Sequence, residues 1–385
     1  MFDTNLHEPI LDKLDFKNLK NSFSSGWISG GGKFTIQFEN LLKKEIKAKN
    51  LTTIINCSSA LQISLRLAGV KNNHEVIVPT VTFVSTINSI IYNNAKPIFM
   101  DIDEYFNLDQ EKTIEFIQKH TNYKNGKTYN KKTKNIISCL IVVHTFGNAA
   151  KIDELYKLCK KRNIKIIEDA AESLGTKYKK GKFKDKFTST VGFAGCISFN
   201  GNKIITSGGG GAIISSSKKL IKKAKHLINQ SKTDPINFIH DEVGYNMKIS
   251  NLHASIGCSQ LKKLKKFIKI KKKIHQYYKK NINKINGLKI LETPNYSSNN
   301  YWLNILEIDP SIYKKSKKQV IKKLIINKIN VRSIWYPNHL QKPFKQFQNF
   351  KIYQAKQKVE NSICLPSSVN LNKNKIKYIC KILNA

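Results

Sequence analysis

The sequence has little negative charge and almost no arginine. Across 385 residues, 26 Asp and Glu oppose 67 Lys and Arg, giving a formal net charge of +41, yet only Arg66, Arg162 and Arg332 are arginines. Reading of base edges and bidentate contacts to phosphate favour the guanidinium group, so this composition argues against a dedicated nucleic-acid-binding protein. The chain is also rich in Ile and Asn, so we interpret the excess of lysine as a base-composition effect on solvated faces. Attraction for polyanions or for a small anionic substrate stays open.

Other features are missing altogether. The seven cysteines include no CxxC pair, which argues against a structural zinc site and a disulfide framework and predicts a reducing compartment and no metal. No run of roughly 18 apolar residues exists, so no membrane span is expected. The first twenty residues lack an apolar core typical of a secretory signal, so we expect a cytoplasmic protein. With 40% hydrophobic residues, the chain has enough apolar material for a folded enzyme.

Helical patterns alternate with short β-branched runs between residues 35 and 215, which predicts an α/β fold. Strands are expected at 52–55, 75–78, 97–100, 136–143 and 164–167, helices at 35–49 and 60–68, a surface hairpin or loop at 121–134, and a lysine-rich amphipathic helix at 261–284. The pattern changes after residue 250. We therefore predict a large domain of residues 1–250 and a smaller domain of residues 251–385.

Polar side chains follow several of the expected strands. Ser58, Asp101, His144 and Asp169 each stand just past a strand end. Ligands of open α/β sheets bind beyond the carboxyl ends of the strands, so these residues are expected to converge on one crevice. Carboxylates are equally typical of helix N-termini, where they act as caps.

The most specific segment runs from Gly192 to Ala212. Lys203 lies 34 residues after Asp169, behind a Ser-Phe strand and before the glycine run Gly208–Gly211. This arrangement resembles the Schiff-base lysine segment of pyridoxal-phosphate (PLP) enzymes. Without that context, Lys203 would be one exposed lysine among many. The glycines lack the GK[ST] ending of an ATP-binding loop and suit either a hairpin or close backbone approach.

The turn before the helix at 60–68 is a second candidate. Ser58 and Ser59 could supply backbone N–H and hydroxyl donors to a phosphate group at the positive end of the helix. A plain serine N-cap explains the same residues as well.

These segments together resemble the DegT/StrS-type sugar-nucleotide aminotransferases. The resemblance extends over nearly the whole chain and includes Glu-Asp-Ala-Ala-Glu at 168–172, Gly-Trp-Ile-Ser-Gly at 26–30, Pro-Thr-Val-Thr-Phe at 79–83, Val-His-Thr-Phe-Gly at 143–147 and His-Asp-Glu-Val-Gly-Tyr-Asn at 240–246. The segment Ser-Phe-Asn-Gly-Asn-Lys at 198–203 and Asn-Tyr-Trp-Leu-Asn at 300–304 look most like the LegC-type branch. The resemblance implies a type I PLP-dependent aminotransferase fold, with a large mixed-sheet α/β domain and a smaller C-terminal α+β domain.

The resemblance also implies roles for individual residues. Lys203 would bind PLP and carry the proton between cofactor and sugar, and Asp169 would keep the pyridine nitrogen protonated. The other cofactor-binding residues would be Glu172 beside the phenolic oxygen, Phe83 against the ring, Ser58, Ser59 and Ser198 at the phosphate, and Asn246 reaching that phosphate from a second subunit. Trp27, Ser29, His144 and Lys248 would bind substrate. For Phe83, ordinary core packing is the competing explanation, and for Asn246 a turn.

The implied reaction is transfer of an amino group, from L-glutamate, to the 4-keto carbon of a nucleotide-linked 4-keto-6-deoxy sugar, on the way to bacillosamine or legionaminic acid. The partners would be the nucleotide sugar, the amino-acid donor and a second copy in a homodimer. Two positions depart from the family pattern: Cys57 stands where Gly is usual, and Lys248 where Arg is usual. The competing hypotheses are a basic nucleic-acid-binding or regulatory protein on a PLP-fold scaffold, and an inactive homologue.

Overall fold

The computed structural model describes residues 2–384. Its helices are α1 (Lys13–Ser24), α2 (Lys33–Glu45), α3 (Cys57–Leu67), α4 (Val84–Ile91), α5 (Gln110–Lys119), α6 (Asp153–Lys161), α7 (Lys218–Leu227), α8 (Asn251–Leu261), α9 (Leu264–Ile282), α10 (Pro310–Tyr313), α11 (Lys317–Ile326), α12 (Gln354–Glu360) and α13 (Lys373–Asn384). Its strands are β1 (Asn50–Ile54), β2 (Glu75–Pro79), β3 (Lys96–Met100), β4 (Thr121–Lys124), β5 (Lys127–Asn130), β6 (Ile137–Val143), β7 (Lys165–Asp169), β8 (Lys177–Tyr178), β9 (Ala194–Ser198), β10 (Gly211–Ser215), β11 (Lys232–Asp234), β12 (Ile239–His240), β13 (Leu288–Ile290), β14 (Ser297–Ser298), β15 (Asn304–Ile308), β16 (Arg332–Ser333), β17 (Asn349–Phe350) and β18 (Ser362–Leu365).

An eight-stranded mixed sheet forms the centre of the fold. Its strand order is β1-β10-β9-β7-β6-β2-β3-β17. Strand β10 runs antiparallel to both of its neighbours, and the pairs from β9 to β17 are parallel. The expected large mixed-sheet α/β architecture is confirmed.

Alternating side chains of the central strands supply a core on each face of this sheet. On β2, Val76 and Val78 pack into one buried cluster and Ile77 into another. Strand β6 repeats the pattern, with Ile141 in the first cluster and Leu140 in the second. Helices therefore cover both faces, as the period-two geometry of strands requires.

A smaller antiparallel sheet lies in the C-terminal part of the chain. Its order is β13-β15-β18-β16, and α9, α11 and α13 contribute to the core beneath it. This is the expected smaller α+β part. Two elements of the C-terminal part contact the rest of the chain: α8 packs on α1 and α2, and β17 pairs with β3 at the edge of the large sheet. The division at residues 250 and 251 stays a prediction.

The local expectations agree with the observed elements to within a few residues. The segment at 121–134 contains the hairpin β4–β5, and the lysine-rich amphipathic pattern forms α9. All seven cysteines are free and buried. Within residues 2–384, no helix is both long enough and apolar enough to cross a bilayer.

Candidate active site

A cavity of about 860 Å³ opens at the carboxyl ends of the parallel strands. Val143, Asp169 and Ser198 line it, and they are the last residues of β6, β7 and β9. The start of α3 and residues from the C-terminal part complete the wall. Of the predicted site residues, the cavity brings together Lys203, Asp169, Glu172, Phe83, Ser58 and Ser198.

Lys203 lies in the connection that follows β9. Its Nζ is 3.8 Å from Glu172 Oε1 and 4.1 Å from the centre of the Trp302 ring. The indole Nε1–H of Trp302 donates to the carbonyl oxygen of Asn202, at 2.8 Å, which fixes the ring beside the lysine. The π face of Trp302 and the carboxylate charge of Glu172 both attract the lysine ammonium, so together they confine it to one region of the cavity.

Asp169 ends β7 with its carboxylate buried at the base of the cavity. Thr86 Oγ1–H donates to Oδ2 at 2.7 Å, and the Ala171 N–H donates to Oδ1 at 3.1 Å. Burial raises the pKa of Asp169, and the Thr86 hydrogen bond opposes that rise. A buried carboxylate held by two donors remains ionised most readily when a cation is placed beside it. A protonated ring nitrogen is such a cation.

Glu172 lies between Lys203 and the backbone. Its Oε2 accepts from the N–H of Phe146 at 2.7 Å. Burial raises the pKa of Glu172 to about 7, although Lys203 and the Phe146 N–H favour the charged form. The side chain therefore changes protonation near neutral pH, within reach of the lysine amine.

The N-terminus of α3 forms a second part of the cavity wall. Asn56 is the N-cap, and its Oδ1 accepts from the Ser59 N–H at 2.8 Å. Asn56 and Ser58 line the cavity, whereas Ser59 is buried in the first turn and does not. The first turn of a helix presents N–H groups that have no intrahelical acceptor, together with the positive end of the dipole. An anionic group would be stabilised there.

The glycine run crosses this helix start. Gly209 and Gly210 line the cavity, and Gly210 has φ +124°. A Cβ on Gly211 would lie 2.7 Å from the backbone carbon of Asn56. The glycine run therefore lies in the connection between β9 and β10 and also allows close approach of the backbone to the start of α3. Both roles expected for these glycines, a hairpin and close backbone approach, are present. Cys57, at the usual glycine position, is buried with the main core cluster.

Phe83 is the N-cap residue of α4 and is 54% exposed. It lines the cavity instead of filling the core. An aromatic face left open in a cavity is available to stack on a planar ring.

His144 and Asp101 also follow strands but do not line the cavity. His144 Nε2 is 3.0 Å from Glu168 Oε2, and its Nδ1 accepts from the Ala150 N–H at 3.1 Å. Asp101 accepts from the N–H groups at the start of α12 and pairs with Lys112. Both side chains are occupied inside the chain, so only Ser58 and Asp169 of the four strand-end residues meet in the crevice.

Four predicted residues form a separate group on the exposed surface. Asn251 holds the turn that carries Trp27 and Ser29. Its backbone N–H donates to Ser29 O and its Nδ2 donates to Trp27 O, both at 2.8 Å. Gly30 pairs with Ser250 in an antiparallel bridge that places this turn beside Lys248. Trp27, Ser29, Asn246 and Lys248 are exposed and lie outside the cavity of their own chain.

Several residues that line this cavity, or that contact its lining residues, have no role predicted from the sequence. Thr86, which holds Asp169, is an ordinary helical threonine in sequence. Trp302 stands in a segment quoted for the family resemblance, but its position over Lys203 depends on contact between distant parts of the chain. His7 and Arg332 also line the cavity. The sequence offered one signal for each: His7 is a histidine near the N-terminus, and Arg332 is one of the few arginines in the chain.

The donor set fits PLP. A buried carboxylate at the base, a lysine amine, an open aromatic ring and a helix N-terminus lie around one cavity, which match a ring nitrogen, an aldehyde, a planar ring and a phosphate respectively. Gly209 and Gly210 supply a wall without side chains beside the helix start.

Comparisons with known proteins agree with this fit. Residues 9–384 match the DegT/DnrJ/EryC1/StrS aminotransferase family. GDP-perosamine synthase from Escherichia coli O157:H7 is 31% identical over 98% of this chain and 97% of its own length. UDP-4-amino-4,6-dideoxy-N-acetyl-beta-L-altrosamine transaminase from Campylobacter jejuni is 26% identical over 96% of this chain and 93% of its own.

A solved structure supports the fold. E. coli GDP-4-keto-6-deoxy-D-mannose-3-dehydratase with bound hydrated PLP superposes with a TM-score of 0.86 at 20% identity, covering 100% of both chains. The expected type I fold, PLP cofactor and aminotransferase class are confirmed. The chain belongs to the DegT/DnrJ/EryC1/StrS aminotransferase family.

Proposed function

We propose that the protein transfers an amino group from an amino acid, L-glutamate, to the 4-keto carbon of a nucleotide-linked 4-keto-6-deoxy sugar. The observation that carries this proposal is the presence of Lys203, Glu172 and the buried Asp169 in one cavity with the N-terminus of α3. When bound at this site, PLP would supply an electron sink for the reacting carbon and would hold the amino group between its donor and its acceptor. The names of the two relatives, both acting on amino sugars linked to a nucleotide, support the substrate class.

The residues of the chain divide this work among them. The Lys203 amine holds the cofactor and moves a proton at the reacting carbon. Asp169 holds the proton on the ring nitrogen, and Phe83 packs on the ring face. Ser58 and Ser198 hold the phosphate, together with the backbone N–H groups of α3 and with Ser59 as part of its first turn. Glu172 donates from its protonated carboxyl to the phenolic oxygen.

The exposed group at Trp27, Ser29, Asn246 and Lys248 supports a homodimer. We propose that it completes the cavity of a second copy, where Asn246 reaches the cofactor phosphate and Lys248 attracts an anionic group of the substrate. A two-fold axis would bring both copies of the group to both cavities. Lys248 offers charge without the planar fork of arginine, so its contact to a carboxylate would be a single point of attraction.

We propose that the product lies on the route to surface-glycan amino sugars such as bacillosamine or legionaminic acid, a proposal that rests on the resemblance to the LegC-type branch. Both ring nitrogens of His144 are paired inside the chain. We therefore propose that His144 does not contact the substrate itself and instead positions the loop that follows β6. The free, buried cysteines support the proposal of a cytoplasmic compartment.

A panel of keto sugar nucleotides tests the function. GDP-, UDP- and TDP-linked 4-keto-6-deoxyhexoses, the UDP sugar with and without an N-acetyl group, are incubated with ¹⁵N-labelled L-glutamate, and the products are analysed by mass spectrometry. We expect ¹⁵N in the sugar of at least one product. Lys203→Ala should abolish it, whereas Lys180→Ala, at an exposed lysine outside the cavity, should not. Absence of labelled sugar from every reaction would contradict the proposed function.

A further inference from the structure

The N-terminal segment is fastened across the cavity rather than lying free. Residues 5–9 line the cavity wall. The backbone contacts that hold the segment are Asp3 N–H to Lys328 O at 3.0 Å, Asn330 N–H to Thr4 O at 2.9 Å, Ser367 N–H to Leu6 O at 2.7 Å and Glu8 N–H to Ser368 Oγ at 2.9 Å. These bonds lie on both sides of residue 7, so they hold its backbone against the cavity wall.

His7 occupies this position with its hydrogen-bonding capacity unused. Neither ring nitrogen has a hydrogen-bond partner among residues 2–384, and both are shielded from solvent. The residue nevertheless lines the cavity. Buried polar atoms without a partner cost free energy, and a group that offered a donor and an acceptor would recover it. Contact between a ring nitrogen and a ligand in the cavity would require the imidazole to turn about its side-chain bonds.

The surroundings of His7 select the chemistry of that group. Burial lowers the pKa of His7 well below its usual value, and the positive charges of Lys271 and Lys203 lower it further. The ring is therefore neutral at pH 7, with one N–H donor and one acceptor nitrogen. A sugar hydroxyl is both donor and acceptor, so it matches a neutral imidazole. A phosphate oxygen would favour a cation, and the exposed Arg332 offers one in the same wall.

We propose that His7 is a substrate-binding residue that recognises a hydroxyl group on the sugar ring of the nucleotide sugar. This inference rests on the proposed function. His7 and Lys203 line the same cavity, so the His7 ring borders the space in which the sugar must reach the Lys203 amine. The proposed contact is therefore with the sugar and not with the nucleotide.

Calorimetric titration of the holoenzyme tests the assignment. The ligands are the GDP-, UDP- and TDP-linked 4-keto-6-deoxyhexoses, each compared with free GDP, UDP or TDP. The amino donor is left out, so no amino group can be transferred. The variants are His7→Phe, which keeps a ring but no polar atom, and His7→Gln, which keeps a donor and an acceptor. His74→Phe is the matched control, because His74 also has a buried unpartnered Nδ1 but does not line the cavity.

For His7→Phe, we expect the dissociation constant of the nucleotide sugar to rise about three- to tenfold, as for loss of one hydrogen bond between neutral groups. The constant for the nucleoside diphosphate should stay within about twofold of the wild type. His7→Gln should recover part of the loss and provides the same comparison if His7→Phe does not fold. His74→Phe should change neither constant.

An equal rise for both ligands, or no rise for either, would overturn the role of His7 while leaving the proposed function intact. If the wild type binds none of the three nucleotide sugars, the proposed function fails, and the role of His7 fails with it.

Discussion

Lys271 provides a test of how burial shapes this fold, because it is a charged residue without a compensating charge. The residue lies on α9, is 1% exposed, and donates from Nζ to the carbonyl oxygen of Ser367. Burial lowers the pKa of Lys271 from 10.5 to about 7, and no carboxylate among residues 2–384 offsets this effect. The perturbation that we propose is Lys271→Met, which preserves length and removes the amine.

The free-energy cost of burying Lys271 follows from the shift of its pKa. A tenfold change in proton affinity corresponds to about 1.4 kcal/mol, so a fall from 10.5 to about 7 corresponds to a penalty of the order of 5 kcal/mol. Below pH 7 the lysine is protonated in both the folded and unfolded states, so the whole penalty applies. Between pH 7 and pH 10.5 only the unfolded state stays protonated, and the penalty declines to about 2 kcal/mol at pH 9.

Urea unfolding at several pH values measures this difference. After allowing about 1 kcal/mol for the lost hydrogen bond to Ser367, we expect Lys271→Met to raise the free energy of unfolding by about 3 kcal/mol at pH 7 and by about 1 kcal/mol at pH 9. Lys272→Met, at the exposed neighbour on the same helix, is the control and should show no such trend. A difference that stays constant between pH 6 and pH 9 would refute the reasoning.

Three further predictions concern the active site. Asp169→Asn should lower kcat/KM about a hundredfold or more at saturating PLP, since a charge-assisted contact of about 3 kcal/mol is lost. Asp185→Asn, at an exposed carboxylate, is the control. Near-normal turnover of Asp169→Asn would exclude the role of Asp169 at the ring nitrogen. Glu172 has a pKa of about 7, so its donor form is lost as pH rises through that value; the activity of Glu172→Gln relative to the wild type should increase from pH 6 to pH 9, and a flat ratio would contradict the donor role. Mixed dimers of Lys203→Ala and Asn246→Ala subunits should recover activity in one of their two sites, given that Asn246→Ala alone is strongly impaired. Mixed dimers no more active than the parent dimers would place the whole site in one chain.

The sequence predicts the central sheet well because its signals are local. Strand β6 contains the apolar run Cys139–Val143, and β7 ends in Glu168 and Asp169. An apolar run followed by a polar residue therefore defines both strands. The residues of β10 alone do not predict that this strand runs antiparallel to its neighbours. The family resemblance implied a mixed sheet but did not say which strand runs antiparallel, and residues 199–210 separate β9 from β10.

The site was predictable where one segment carries several of its residues. Asp169 and Glu172 lie on one strand end, and Lys203 is marked by its glycines. The contacts of Thr86 with Asp169 and of Trp302 with Lys203 join residues 83 and 99 positions apart, respectively, and neither residue type is unusual where it stands. His144 illustrates the opposite case: it follows a strand as a ligand-binding residue would, but Glu168 and the Ala150 N–H occupy its ring.

The central claim is that this cavity holds PLP on Lys203, and peptide mapping after borohydride reduction tests it most directly. Reduction of the holoenzyme fixes the cofactor to the amine that carries it, and proteolysis followed by mass spectrometry locates the modified residue. We expect a pyridoxyl group on Lys203, with none on the exposed lysines of α9. A stoichiometric label on any other lysine, with Lys203 unmodified, would contradict it.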